Sequence, residues 1–155
     1  MKNNMTQWGI GGTLLFIGVV YSVVVFGINL ILLPHVRFVI INPLVTTICG
    51  IVLILLGMFL IGIPSRRVMR HCHEGTLCTS GIYAYIRHPI YSCWILFITP
   101  GIVIITGCIL GWTIPLFLYI AFRILITKEE AFLEERFGKK YLRYKHEVGR
   151  IFPKL

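Results

Sequence analysis

The chain alternates between long apolar blocks and short charged stretches. Residues 9–33 hold no charged side chain. About 20 apolar residues are enough to cross a bilayer as a helix, so this block predicts a spanning helix with some tilt. It follows Lys2, is too long for the apolar core of a cleaved leader and has no small-residue cleavage site after it, so it reads as a retained anchor. Pro34 ends it, and a connection through His35, Arg37 and Asn42 leads to a second block, residues 44–63. Pro64 is expected to close that block, because proline interrupts the helical hydrogen-bond ladder.

Residues 64–89 turn polar and basic, with Arg66, Arg67, Arg70, His71, His73, Glu74 and Arg87. Residues 90–126 are apolar again except for Arg123, too many for one span but enough for two short ones. Thr106-Gly107 and Gly111-Trp112 supply turn and interface residues, which predicts spans over 90–106 and 109–126 joined as a tight hairpin. Pro100 and Pro115 are each expected to kink or break their helices, a feature membranes tolerate when neighbours re-satisfy the backbone. In residues 127–155, Leu133, Phe137, Tyr141, Tyr144 and Val148 recur at spacings of four or three, the mark of one helical face. Gly138 weakens the middle of that segment and marks a bend. The expected fold is an all-α integral membrane protein with four spans and a cytoplasmic amphipathic C-terminal helix, one domain over residues 1–155.

Composition excludes a soluble alternative. The chain is 57% hydrophobic with mean hydropathy +0.85, against roughly 45–50% apolar residues in soluble domains. Net charge is +9, from 15 Lys and Arg against 6 acidic residues, all of them Glu. These cations flank apolar spans instead of forming a basic face on a soluble module, which argues against nucleic acid and for anionic headgroups as the partner. With the N-terminus inside, only Arg37 falls in an outer loop, so the positive-inside rule puts residues 64–89 and 127–155 in the cytoplasm. The 5 cysteines have no framework spacing. His71-Cys72-His73 with Cys78 lacks the paired spacing of a structural zinc site, so no metal is expected.

The stretch from Gly81 to Tyr91 (GIYAYIRHPIY) is not explained by lipid alone. Ionisable side chains at membrane depth default to a functional reading. Tyrosine adds a stacking face and a hydroxyl, so Tyr83 and Tyr91 around His88 suit a pocket, while Arg87 and Tyr85 read as interface anchors. Glu129 and Glu130 stand where the last span leaves the bilayer. Successive helical residues point about 100° apart, so the two would not face each other as a carboxylate dyad. One of them could bind an ammonium group. Both polar segments lie on one membrane face, a geometry suited to joining a water-soluble cosubstrate to a lipophilic acceptor.

Together these motifs resemble the isoprenylcysteine carboxyl methyltransferases and their relatives among membrane phospholipid methyltransferases. The likeness runs from about Gly75 to Pro153. It rests on GTLCTSGIY (Gly75 to Tyr83), RHPIY (Arg87 to Tyr91), Glu129-Glu130, FGKKYLRY (Phe137 to Tyr144) and RIFP (Arg150 to Pro153). The resemblance implies methyl transfer from S-adenosyl-L-methionine to a lipophilic acceptor without a Rossmann domain. It implies cofactor contacts from Thr76, Leu77, Cys78, Tyr83, His88, Pro89, Tyr91 and Glu129, with Glu130 and Arg123 as candidate catalytic residues. A prenylcysteine carboxylate is the leading acceptor, because an amine such as an ethanolamine headgroup would need a base that no residue is arranged to provide. A non-catalytic membrane protein binding anionic lipid or a partner is the reading from a different class. The family carries an acceptor-binding arginine about one turn before its glutamate, where this chain has Leu125; Arg123 is the nearest substitute, six residues before Glu129.

Overall fold

The computed structural model describes residues 10–32, 42–73 and 75–154, apart from the side chains of residues 67, 69, 70, 72 and 73. Arg37, Glu74 and the side chains of Cys72 and His73, all part of the sequence reading, lie outside it. Every regular element among the described residues is helical. The helices are α1 (Gly11–Leu32), α2 (Pro43–His73), α3 (Pro89–Cys93), α4 (Thr99–Thr106), α5 (Thr113–Phe137) and α6 (Lys139–Glu147). Four stretches are long and apolar enough to cross a membrane: Gly11–Leu32, Pro43–Arg66, Pro89–Thr106 and Leu110–Phe137. They match the four blocks expected from the pattern.

Apolar side chains gain nothing by leaving lipid for one another, so membrane helices associate through close packing at small residues. A Cβ on Gly50 of α2 would lie 2.7 Å from the Gly101 carbonyl oxygen of α4, and one on Gly101 would lie 2.8 Å from the Gly50 oxygen. The two backbones therefore touch. Replacing Gly101 with leucine is expected to cost about 1–3 kcal/mol or more through overpacking, read as a lower unfolding midpoint in detergent. Gly62→Ala is its control, since a Cβ there meets nothing within 4 Å. Helix α1 packs on α5 in the same manner, with Gly18 under Leu118 and the Tyr21 and Phe117 rings stacked 4.0 Å apart.

Three expectations about helix ends are corrected. Pro64 does not close α2, which runs on to His73 with the proline buried inside it. Ser65 Oγ donates to the Ile61 carbonyl at 2.8 Å, one residue past the Leu60 carbonyl that the proline leaves without its helical donor. Pro115 breaks nothing: it is the third residue of α5, where its missing N–H has no helical partner to lose. Finally, the C-terminal amphipathic segment is two helices. Helix α5 continues from the span to Phe137 because nothing between Ile126 and Glu130 interrupts it, and Gly138, at φ +54°, then turns the chain into α6.

Pro100 does disturb its helix. A π turn over Trp94–Ile98 joins α3 to α4, and Thr99 Oγ1 supplies the donor that proline lacks, reaching the Trp94 and Ile95 carbonyls at 3.1 and 3.3 Å. Gly107, at φ +63°, caps α4 and opens the expected hairpin.

Candidate functional site

The amino end of α1, the carboxyl ends of α2 and α5, the start of α3 and helix α6 meet at one end of the bundle. Gly75, at φ +64°, closes α2, with the Thr76 amide donating back to the His71 carbonyl at 2.9 Å. The chain then passes beneath α6, where Leu77 joins Tyr141, Tyr144 and Val148 in a small core flanked by Leu133 and Phe137. This is the apolar face the 3–4 spacing predicted, shared between two helices. The Tyr144 hydroxyl donates to the Tyr83 carbonyl at 2.7 Å and ties α6 to the 3₁₀ turn Gly81–Ala84.

Residues 86–88 then pair with the C-terminal strap. Ile86 and Gly149 form a parallel bridge, the Arg87 amide donates to Gly149 O at 2.8 Å, and the His88 amide donates to Arg150 O at 3.0 Å. Pro89 is buried in the first turn of α3, where its fixed φ starts the helix.

Glu130, with its side chain 2% exposed, is the electrostatic hub. Arg150 grips it with two bonds, Nε to Oε1 at 3.0 Å and a terminal nitrogen to Oε2 at 2.7 Å. The Arg87 guanidinium lies 3.0 Å from Oε1, and Lys145 Nζ is 3.9 Å from Oε2. Paired and bidentate, a buried carboxylate is tolerable; stripped of its cations, it is not. Tyr141 is buried beside it. Burial first, and then the negative charge of Glu130, push the Tyr141 phenol well above its usual range, so it stays a neutral hydroxyl.

Glu129 points to a different set of groups. Its side chain is 16% exposed. Oε2 accepts from the Tyr91 hydroxyl at 3.0 Å and from the Ile10 amide, at the start of α1, also at 3.0 Å. Oε1 faces His88 Nδ1 at 3.6 Å, beyond hydrogen-bond length, and so keeps acceptor capacity. The other ring nitrogen, Nε2, looks toward Glu130 Oε1 at 3.5 Å. Thus His88 sits between the two carboxylates. Its ring meets Phe122 edge-on at 5.8 Å and Tyr91 at 6.0 Å, and those two lie 5.4 Å apart.

The structure therefore gathers His88, Pro89, Tyr91, Glu129 and Glu130, with Tyr83 close behind. Leu77 and Cys78 are buried beneath α6, while Thr76 is exposed. Arg123 is also exposed, its guanidinium 3.3 Å from the Tyr119 hydroxyl. Among the described residues no ion pair joins it to a carboxylate. Arg87 is not the interface anchor expected: it is 8% exposed and bound to Glu130. Sequence reasoning did not place Arg150, Phe122 or the Ile10 amide in the site. Arg150 is 20 residues from its partner Glu130, with Gly138 breaking the periodicity between them. Among the described residues no three His, Cys, Asp or Glu side chains gather as for a metal ion.

Residues 38–140 match the phospholipid methyltransferase family model. Among individual relatives, the human protein-S-isoprenylcysteine O-methyltransferase is 37% identical over 78 residues, which are 50% of this chain and 28% of that protein. The Dictyostelium discoideum protein of the same name is 38% identical over 84 residues, 52% of this chain and 34% of its own. The chain thus spans about a third or less of the length of these relatives. A solved structure of a eukaryotic intramembrane Ras methyltransferase, an isoprenylcysteine carboxyl methyltransferase, superposes with TM-score 0.60 at 25% identity, covering 89% of this chain and 51% of that one. The matched region includes α2, the hairpin and the Glu129-Glu130 step, and the chain, which is also similar to isoprenylcysteine carboxyl methyltransferases, belongs to the phospholipid methyltransferase family.

Proposed function

We propose that this protein methylates a lipophilic acceptor at the cytoplasmic membrane face using S-adenosyl-L-methionine, with the carboxylate of an isoprenylcysteine-like group as the acceptor. The observation that carries the reading is the division of labour between the adjacent glutamates. Glu130 is saturated by cations, whereas Glu129 is partly open and retains a free acceptor oxygen beside three aromatic rings.

The donor set fits the cofactor. Glu129 would hold its ammonium, and His88, Tyr91 and Tyr83 offer flat faces for an adenine, with Pro89 shaping the start of α3. Leu77 and Cys78 would line the inner wall from beneath α6, and Thr76 would meet the solvent side. When bound, S-adenosyl-L-methionine supplies an electrophilic methyl group on a sulfonium. The protein's part is alignment and exclusion of water, the main sources of rate when the nucleophile is already an anion. A carboxylate acceptor needs no general base. Arg123, a lone cation within an apolar span, would hold it from the α5 face that also carries Glu130, seven residues on. Glu130 then acts by holding the site together and not by touching substrate.

The test is methyl transfer from labelled cofactor into N-acetyl-farnesylcysteine and into a lipid extract. Base-labile label in the cysteine derivative is the expected result; base-stable label in a headgroup would replace this acceptor with an ethanolamine phospholipid, and no label anywhere would sink the enzyme reading. Arg123→Ala is expected to raise the acceptor KM by about tenfold, the loss of a charged hydrogen bond, with the cofactor KM nearly unchanged.

A further inference from the structure

The site described above is held by a part of the chain remote from it in sequence, the strap of residues 149–151. This strap makes two kinds of contact with the same small region. Its backbone accepts the amides of Arg87 and His88 through Gly149 O and Arg150 O, at 2.8 and 3.0 Å. The Ile151 carbonyl also accepts from Ser92 Oγ at 3.3 Å, one turn into α3. Meanwhile the Arg150 side chain crosses to α5 and takes both oxygens of Glu130. The carboxylate it grips is the one that faces His88 Nε2 and sits next to Glu129 in the helix. Arg150 thereby holds the His88 main chain with its carbonyl and one of the walls around the His88 ring with its guanidinium.

Gly149 allows the strap to turn this tightly: a Cβ there would collide with the Phe152 carbonyl oxygen. Ile151 is 4% exposed and anchors the strap in the main core, so the segment is docked and not draped over the surface.

We propose that Arg150 is a positioning residue for the cofactor site, fixing the His88 ring and the Glu129 carboxylate through Glu130 and through the strap backbone. It acts through other residues and touches neither substrate nor cofactor. The cofactor half of the inference rests on the methyltransferase reading; the geometric half does not.

The experiment uses the full chain in detergent micelles, labelled with ¹⁵N-histidine, as wild type, Arg150→Ala and Arg150→Lys. The His88 signal is assigned by its loss in His88→Gln, and S-adenosylhomocysteine binding is followed by calorimetry. Arg150→Ala is expected to move the His88 imidazole resonances and to raise the Kd by about tenfold, the weakening of one charged hydrogen bond from a displaced Glu129. Low millimolar guanidinium should return both signals toward wild type in Arg150→Ala and change neither in wild type. Arg150→Lys, which keeps one charged contact, should fall between. A lower unfolding midpoint with unmoved His88 resonances and wild-type affinity would make Arg150 a stability residue only and overturn the proposal. If the wild type itself binds no S-adenosylhomocysteine, the methyltransferase reading fails, and the cofactor half of this inference fails with it. Even then a displaced His88 signal would uphold the geometric half and an unmoved one would overturn it.

Discussion

Glu130→Ala is expected to destabilise the protein by about 3 kcal/mol, because it strands the buried Arg87 cation without its counter-charge and releases the half-buried Arg150. Arg87, 8% exposed, would lose its only carboxylate among the described residues, and the strap would lose its side-chain hold on α5. Glu130→Gln keeps the shape but not the charge and should fall only part of the way back. The informative companion is a triple variant, Arg87→Met, Glu130→Leu, Arg150→Met. Replacing the core of a buried ion cluster with apolar groups is often close to neutral, and Lys145 keeps its other partner Glu134 at 3.2 Å, so this variant should unfold near the wild-type midpoint. Denaturant or thermal unfolding in detergent reads both effects. A single Glu130→Ala protein within about 1 kcal/mol of wild type, the range of an exposed pair, would show that the cluster is solvated and not a buried clamp.

The other large effect should spare the fold. Glu129→Gln leaves an amide oxygen to accept from the Tyr91 hydroxyl and the Ile10 amide, so the unfolding midpoint should stay within a degree or two of wild type. It removes the negative charge proposed to hold the cofactor ammonium. Charge-assisted hydrogen bonds contribute about 1.5–3 kcal/mol, which corresponds to a loss of affinity for S-adenosylhomocysteine of roughly 10–100-fold. Calorimetry on both proteins measures it directly. Unchanged affinity in a folded Glu129→Gln protein would remove Glu129 from the cofactor site. The neighbouring glutamates should thus separate cleanly, one variant losing stability and the other losing binding.

Why the sequence reading divided the glutamates incompletely is a matter of distance along the chain. Their placement about 100° apart on a helix was legible, and so was the conclusion that they face different surroundings. Which one faces which was not. Glu129 is defined by Ile10, 119 residues away, and Glu130 by Arg150 beyond a helix break at Gly138. No local period links such residues. The same limit explains Arg87: beside an apolar block it reads as an anchor at the headgroups, and only the strap folding back over it makes it a buried partner. Helix ends failed for a related reason. Pro64 and Pro115 are read as breaks from the residue alone, whereas their effect depends on where in the helix they fall and on what packs around them, Pro64 being buried inside α2 and Pro115 standing in the first turn of α5.

By itself the sequence determined the four stretches long and apolar enough to cross a membrane, the all-helical fold, the hairpin at Gly107, the bend at Gly138 and the apolar face shared by Leu133, Phe137, Tyr141, Tyr144 and Val148. These follow from local physics: the apolar length that lipid demands, helical periodicity and glycine's access to positive φ. Only the tertiary structure decided that Glu130 is paired with cations and Glu129 is partly open, that Arg87 is buried, and that Arg150 reaches Glu130. Those outcomes depend on which charges are drawn out of water together, and a carboxylate's surroundings are set by chain segments that meet only when the bundle has closed.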